Sequence, residues 1–480
     1  MSTDGPLYTW TARELASAVA ARDVSAAEVM RAHLDRIEEV EAQVAAFVSL
    51  LPEPVAMAMA DEADAAVARG DELGALHGLP TGVKDLMDVA GLPTSQGSAA
   101  YADAPPAPRD SVLAEHLRRA GALIIGKTNT PEIGLGTLTF NPVRGVCRNP
   151  WDLRRHAGGS SGGAGAALAA GMLPIADGSD SGGSIRYPAS FCNVVGLRPT
   201  PGMVPSGRVG NGWDPHGVAG PMARDSRDAA LMLAGIAGHD PRWPLSWVDE
   251  PGALAALEDL PLSGLRFGWS PDVGGLPIDP AVRAVLADAR RRLEAAGATV
   301  LDIEPDLDGA DEAWRIVEMF GFAADGRPRL AEGRTGFRAD YLRNVEEGLA
   351  LSAADVMDGF AARTEIFRRT AAVLRQVDAI IYPATPVAAP PAEVEWVAEI
   401  DGARFDRYFL WQRAACRLTV TGHPVLATPA GFTGGGLPVG MQIVGPSRGD
   451  RRLLAIGAAV EDALGLVGRM PTVVGRAAEW

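Results

Sequence analysis

A serine that follows two glycines is the first residue in this sequence that could do chemistry. Glycine occupies nine of the 26 positions in 158–183, although the whole chain has only 56 glycines in 480 residues. Because glycine lacks a side chain, successive backbone N–H groups can turn toward one point and bind an anion. The N–H groups of Ser181, Gly182 and Gly183 would form an oxyanion hole beside the Ser184 hydroxyl. This arrangement predicts that Ser184 is a nucleophile.

A serine nucleophile needs a base, because its hydroxyl reacts weakly at neutral pH. Lys84 is a candidate, since it ends the uncharged segment 79–83, which looks like a buried strand. A lysine acts as a base only when neutral, so burial or nearby positive charge must lower its ordinary pKa of about 10.4. No motif identifies a histidine as the partner of Ser184, and seven are present: His33, His77, His116, His156, His216, His239 and His423.

Several motifs spread over most of the chain resemble those of the amidase signature family. They are 82–85 (GVKD), 126–129 (GKTN), 148–151 (RNPW), 158–163 (GGSSGG), 180–186 (DSGGSIR), 196–200 (GLRPT) and 437–442 (LPVGMQ). The resemblance implies a Ser-Ser-Lys triad, in which Ser184 is the nucleophile, Ser160 the bridging serine and Lys84 the base. It also implies a cis peptide bond before Ser160. The expected reaction is hydrolysis of an amide bond through an acyl-enzyme.

Two other motif matches in the sequence suggest different chemistry. Residues 121–128 (GALIIGKT) fit the P-loop pattern, but the four residues between the glycines are apolar and look like a strand rather than a phosphate-binding loop. Residues 158–162 (GGSSG) fit the nucleophile elbow of α/β-hydrolases, but the preceding WDLRRHA is not an apolar strand. The elbow would also need a later acid and a histidine, and the spacing does not exclude His216, His239 or His423. We expect neither motif to function.

The composition excludes several classes of protein. A net charge of −16 argues against a nucleic-acid-binding surface, which needs clustered Lys and Arg. Cys147, Cys192 and Cys416 are too few and too scattered for a disulfide framework or a zinc site. The N-terminus lacks the pattern of a signal peptide, and no apolar run is long enough to span a membrane. We expect a cytoplasmic protein without a metal, a cofactor, a membrane or a nucleic-acid partner.

Alternating short apolar strands and helices predict an α/β fold, with a single large domain whose mixed central sheet is covered by helices on both faces. Capping boxes at Thr11 with Glu14, and at Ser25 with Glu28, predict helices over 11–21 and 25–45. These belong to a predicted N-terminal helical arm, 1–70, that packs on the body or on the second subunit of a homodimer. The amidase signature domain would span 71–480, with a helical insertion at about 309–420.

The substrate is less defined than the reaction. The segment 396–411 (WVAEIDGARFDRYFLW) is rich in aromatic residues, which suit an apolar acyl or aryl group or ordinary core packing. We expect a small-molecule amide, including an aryl amide or a carbamate, and an enzyme acting on linear amide bonds. The alternative is the glutaminase subunit of a tRNA-dependent amidotransferase, which resembles this sequence through the same motifs and works with a partner.

Overall fold

A mixed sheet of eleven strands runs through the centre of the protein. The computed structural model describes residues 5–206, 211–247 and 251–471. The strands of these residues, in chain order, are β1 (Phe47–Leu50), β2 (Pro80–Lys84), β3 (Leu123–Thr128), β4 (Phe140–Asn141), β5 (Gly145–Val146), β6 (Arg148–Asn149), β7 (Asp152–His156), β8 (Ile175–Asp180), β9 (Val195–Arg198), β10 (Val218–Ala223), β11 (Arg266–Trp269), β12 (Thr299–Leu301), β13 (Ala379–Pro383), β14 (Glu399–Ile400), β15 (Ala403–Arg404), β16 (Val425–Phe432) and β17 (Pro438–Val444).

Within the described residues, 13 α-helices flank this sheet. They are α1 (Ala12–Ala21), α2 (Ala26–Val44), α3 (Glu53–Arg69), α4 (Val112–Arg119), α5 (Gly162–Ala169), α6 (Arg186–Cys192), α7 (Ser226–Ile236), α8 (Pro280–Ala295), α9 (Ala310–Glu332), α10 (Ala339–Ala350), α11 (Ala353–Leu374), α12 (Arg413–Val420) and α13 (Asp450–Leu464). No helix among the described residues is both long enough and apolar enough to cross a membrane.

The order of the strands in the sheet is β1-β3-β2-β8-β10-β9-β16-β17-β13-β11-β12. Parallel pairing joins β3, β2 and β8 near one edge and β13, β11 and β12 at the other. The strands between them pair antiparallel. Both kinds of pairing occur in one sheet, so the predicted single α/β domain with a mixed central sheet is confirmed.

The first two helices begin where the sequence predicts. Thr11 accepts a hydrogen bond from the Glu14 backbone N–H, and the Glu14 carboxylate accepts one from the Thr11 N–H in return. Ser25 and Glu28 form the same reciprocal pair at the start of α2. Each box satisfies N–H groups that the first turn of a helix leaves without a partner.

Two strands of the central sheet lie inside the segments that were predicted as a helical arm and a helical insertion. The predicted arm contains β1, which pairs antiparallel with β3 and forms an edge of the central sheet. The predicted insertion contains three long helices, α9 to α11, and then returns to the central sheet at β13. Both strands are short, at four and five residues. A run as short as β1 shows too few side chains to reveal a period, which is why no strand was predicted there.

Candidate active site

Asp180 shapes the turn that carries Ser184. This aspartate ends β8, a strand of the central sheet, and α6 begins at Arg186. The Asp180 carboxylate accepts hydrogen bonds from the backbone N–H of Gly183 at 2.9 Å and of Ile185 at 3.1 Å. Gly183 has φ of 108°, and a Cβ there would lie 2.6 Å from the Cβ of Ala415. The turn can therefore form only with glycine at 183.

Arginine side chains hold Asp180 in place. Arg186 donates two hydrogen bonds to the Asp180 carboxylate, at 2.8 and 3.0 Å, and Arg198 lies behind it. Burial alone would raise the pKa of Asp180, but the charges of Arg186 and Arg198 outweigh it and hold the pKa well below its usual range. Arg186 also donates to Gln442 at 2.9 Å, which links the turn to β17. Asp180 and Arg186 thus form a buried ion pair that braces the turn.

Lys84 lies at the end of β2, which the sequence predicts as a strand. Its Nζ is 2.7 Å from Ser160 Oγ, 2.9 Å from Ser161 Oγ and 3.0 Å from Ser179 Oγ. The side chain is fully buried. Its backbone N–H donates to Asp177 Oδ1 at 2.8 Å, and burial raises the pKa of this carboxyl to about 6. Hydroxyl groups therefore surround the Lys84 amine on the side that faces Ser160.

Ser160 precedes the start of α5, and the Gly159–Ser160 peptide bond is cis, as the resemblance implied. The next residue, Ser161, connects the two serine-bearing segments, because its N–H donates to the Ser184 carbonyl oxygen at 3.0 Å. Ser160 and Ser184 line one cavity of about 110 Å³. The structure thus brings Lys84, Ser160 and Ser184 into one region from three separate segments of the chain.

The predicted oxyanion donors lie in the turn after Asp180. Ser181 lines the cavity, and Gly182 packs so tightly that a Cβ there would lie 3.0 Å from Trp314. The N–H of Gly183 has a different partner from the one the sequence predicts, because it donates to Asp180. Its assignment as an oxyanion donor therefore has less support than those of Ser181 and Gly182.

Helix α9 forms one wall of the cavity and carries a residue that the sequence did not single out. Glu318 accepts a hydrogen bond from Ser181 Oγ at 3.0 Å, and one of its oxygens lies 3.1 Å from His216 Nε2. Trp314, one turn earlier on the same helix, donates to the Ser181 carbonyl oxygen at 2.8 Å. A single glutamate in a long amphipathic helix carries no motif, so only the packing of α9 against the turn reveals it.

Neither of the two rejected motifs has the geometry that its function needs. Residues 123–128 are the buried strand β3, and Lys127 forms a buried ion pair with Asp85 at 2.9 Å. A strand cannot wrap around a phosphate, so the P-loop match has the wrong geometry. For the elbow, His216 lines the cavity, but within the described residues neither of its ring nitrogens has a hydrogen-bond partner. The hydrogen bond to Ser160 comes from Lys84 instead.

The aromatic segment 396–411 packs behind the site rather than lining it. Trp411 lies edge-on to Tyr187 with ring centroids 5.1 Å apart, and Phe409 lies 5.6 Å from Trp314. The aromatic wall of the cavity comes from Phe320 and Phe322 of α9 and from Trp243. Of the two interpretations of this segment, core packing is therefore the one that the contacts support, because its rings support α6 and α9.

Comparison with known proteins identifies the family. The amidase family model matches residues 28–454. The chain is 36% identical to an acylamidase of Rhodococcus erythropolis, with 96% of each chain covered, and 36% identical to a glutamyl-tRNA(Gln) amidotransferase subunit of Acidothermus cellulolyticus, with 94% of each covered. A bacterial aryl acylamidase of the amidase signature family has a similar structure, with a TM-score of 0.87 at 28% identity over 96% of this chain and 98% of that one. The chain therefore belongs to the amidase signature family and is an amidase, which hydrolyses carbon–nitrogen amide bonds.

Proposed function

We propose that this amidase works through an acyl-enzyme on Ser184, with Ser160 as a proton relay and Lys84 as the base. The observation that carries the proposal is the 2.7 Å contact between Lys84 Nζ and Ser160 Oγ, in a place where Ser160 and Ser184 share one cavity. A nucleophile needs a base within hydrogen-bond reach, and a relay hydroxyl lets a base act from one residue further away. Full burial of Lys84 favours the uncharged amine that this role requires.

The proton path accounts for both halves of the reaction. As Ser184 Oγ attacks the amide carbon, its proton passes to Ser160 Oγ while the Ser160 proton passes to Lys84 Nζ. When the tetrahedral intermediate collapses, the same path delivers a proton to the leaving nitrogen, and the carbon–nitrogen bond breaks. Water then attacks the ester carbonyl, giving its proton to the relay, and Ser184 is released with its proton restored.

The negative charge that develops on the carbonyl oxygen needs donors that are already in place. We assign this role to the backbone N–H groups of Ser181, Gly182 and Ser184, with a smaller part for Gly183. Two hydrogen bonds hold Ser181, because its hydroxyl donates to Glu318 and its carbonyl oxygen accepts from Trp314. A donor fixed in this way costs little reorganisation during the reaction.

We propose small amides with aryl or alkyl groups as substrates, hydrolysed by this chain alone. The relatives include an acylamidase and an amidotransferase subunit, so both activities have to be considered. Glutamine carries an α-carboxylate, which needs a cation, and among the described residues that line the cavity none is a lysine or an arginine. The lining includes apolar side chains such as Phe320, Phe322 and Trp243. The cavity therefore suits an amide without a carboxylate better than glutamine.

A serine-directed fluorophosphonate tests the nucleophile without knowledge of the substrate. Trypsin releases residues 156–186 as one peptide, because Arg155 and Arg186 flank a stretch without another Lys or Arg. Fragmentation of that peptide should place the adduct on Ser184, and Ser184→Ala should lose both labelling and anilide hydrolysis. An unchanged urea unfolding midpoint is the control for folding. An adduct on Ser160, or full activity in the folded Ser184→Ala variant, would overturn the assignment.

A second experiment distinguishes amide hydrolysis by this chain alone from the amidotransferase activity. The purified chain should hydrolyse an anilide without any added protein, and glutamine should give no ammonia at the same enzyme concentration. Hydrolysis of glutamine that appears only with an added partner protein would favour the amidotransferase role.

A further inference from the structure

Glu318 places a carboxylate next to the turn that carries Ser184. It projects from α9 to the cavity, its side chain is 14% exposed, and its neighbours are the Ser181 hydroxyl at 3.0 Å and His216 at 3.1 Å. A hydroxyl gives a carboxylate a hydrogen bond but no positive charge. A histidine neutralises it only when the imidazole is protonated. The Glu318 charge thus lacks a permanent cationic partner among the described residues.

The other described residues that line the cavity do not supply a positive charge. Asp325, a further carboxylate of α9, is already paired with Arg329 at 3.1 Å. Asp214 accepts the backbone N–H of His216 at 2.8 Å. Within the described part of the chain, no lysine or arginine lines the cavity. As far as the described residues go, the charge at Glu318 is therefore open to a cation that enters with a ligand.

His216 gives an independent indication that a ligand binds here. The side chain is 2% exposed and lines the same cavity, yet neither ring nitrogen has a hydrogen-bond partner among the described residues. The Glu318 oxygen is close to Nε2 but lies outside hydrogen-bonding geometry. Buried polar groups nearly always have partners, and one without any often marks a functional site. A substrate group in the cavity would provide that partner, which places polar recognition on the Glu318 side.

We propose that Glu318, with His216 beside it, recognises an alkylammonium group on the substrate. The substrate class is an amide that carries a protonated amine on its acyl or its amine part, joined to an aryl or alkyl group that packs on Phe320, Phe322 and Val317. This inference rests on the proposed function of the Ser184 site. Glu318 is a specificity-determining residue in this account and takes no part in proton transfer.

A purely structural role for Glu318 makes a different prediction. Glu318 also holds the Ser181 hydroxyl, so its loss could disturb the oxyanion donors for every substrate alike. Glu318→Gln separates the two roles, because the amide oxygen still accepts from Ser181 while the charge is gone. The matched control is Glu312→Gln, which removes the same charge from the same helix at a side chain that is 60% exposed and paired with Arg315.

Two pairs of anilides, each differing only in the charged group, test the proposal. One pair is 4-(aminomethyl)acetanilide with 4-(hydroxymethyl)acetanilide, and the other is the anilide of 5-aminopentanoic acid with that of hexanoic acid. Assays at about pH 8.5 keep ordinary imidazoles neutral and alkylamines charged. The wild type should prefer the ammonium member of at least one pair by roughly 10- to 100-fold in kcat/KM, as expected for a hydrogen bond to a charged group.

Glu318→Gln should abolish that preference by lowering kcat/KM for the ammonium member far more than for the neutral member, while Glu312→Gln keeps the preference. The proposal is wrong if the wild type shows no preference in either pair, or if both members fall together in Glu318→Gln. If the wild type hydrolyses none of these anilides, the proposed function is wrong. A binding measurement then tests the role of Glu318 separately. Calorimetry should show benzylammonium binding to the wild type and not to Glu318→Gln, and equal or absent binding would overturn it.

Discussion

At the scale of single residues, the choice of lysine at 84 is informative. Of the 44 lysine and arginine residues in the chain, only Lys84 and Lys127 are lysines, and all the others are arginines. Arginine is not deprotonated in proteins, so it can carry charge but cannot act as a base. Lys127 is used in an ion pair with Asp85, and the Lys84 amine faces serine hydroxyls. The chain thus has lysine at the one proposed site where a removable proton is needed.

The sequence indicates some residues of the candidate site and leaves others unmarked. Ser184 and Lys84 were singled out by local patterns, glycines next to a serine and an uncharged strand before a lysine, whereas Ser160 was implied by the family resemblance. The structure brings the three into one region, and their catalytic roles stay predictions. Glu318 and His216 could not be predicted, because their meaning depends on how α9 packs against the turn. Glu318 and its partner Ser181 lie 137 positions apart in the chain. Long-range packing of this kind leaves no local pattern in the sequence.

At the scale of elements, glycine allows α5 to approach the central sheet. Gly163 lies in the first turn of α5, and its N–H donates to the Asn129 carbonyl oxygen at 3.0 Å. A Cβ at this position would lie 2.2 Å from the Asn129 nitrogen and 2.3 Å from the Ala46 carbonyl oxygen. Because both neighbours are backbone atoms, neither can move away by changing rotamer. This contact fixes the first turn of α5, which directly follows Ser160 and Ser161.

Gly163→Ala should therefore destabilise the protein by about 3 kcal/mol, the upper part of the range for overpacked sites. Gly252→Ala is the matched control, since a Cβ at 252 would meet nothing within 4 Å and should change stability by less than about 0.5 kcal/mol. Urea unfolding midpoints of the two variants and the wild type measure the difference. Equal midpoints for Gly163→Ala and the wild type would show that α5 can shift away from β3.

Element boundaries could be predicted only where local chemistry marks them. The capping boxes locate the starts of α1 and α2 to within one residue. The strand β1 was missed inside the predicted arm, since its pairing with β3 joins residues about 80 positions apart. That residues 1–70 form a separate arm stays a prediction. That the protein forms a homodimer also stays a prediction.

At the scale of the whole molecule, buried carboxyl groups join the two ends of the chain. Glu461 of α13 accepts hydrogen bonds from the Ser226 backbone N–H and from Thr428, both at 2.9 Å. Asp228 of α7 accepts from the backbone N–H of Ala12 at 2.8 Å. Burial, reinforced by the nearby Asp225 carboxylate, raises the pKa of Glu461 to about 8 and that of Asp228 to about 7.

These raised pKa values make stability depend on pH. Between the ordinary pKa of a carboxyl group and the raised value, the folded protein keeps a proton that the unfolded chain has lost. Stability should therefore fall as pH rises from about 4.5 to about 8, by at most about 1.4 kcal/mol per pH unit for Glu461. The contribution is fully present at the acid end of this window and is lost at the alkaline end.

Glu461→Gln should flatten this dependence, because the amide stays neutral while its oxygen still accepts from the hydroxyl groups of Ser226 and Thr428, as Oε1 of Glu461 does. Asp462→Asn, which alters the next residue of α13 at a 59% exposed side chain, should keep the wild-type slope. Unfolding midpoints in urea at about pH 6 and about pH 8.5 provide the comparison. An identical slope in Glu461→Gln and the wild type would show that Glu461 does not titrate in this window.

The Lys84 amine is proposed to drive the attack of Ser184 through Ser160 in its uncharged form. Its charge can be measured because the chain has only two lysines. Carbon-13 labelling at lysine Cε gives two side-chain signals, and Lys84→Met identifies the one from Lys84. At about pH 8, where an ordinary lysine is charged, we predict the chemical shift of a neutral amine for Lys84, while Lys127 in its ion pair serves as the charged reference. A charged amine at Lys84 throughout the pH range of activity would contradict the account.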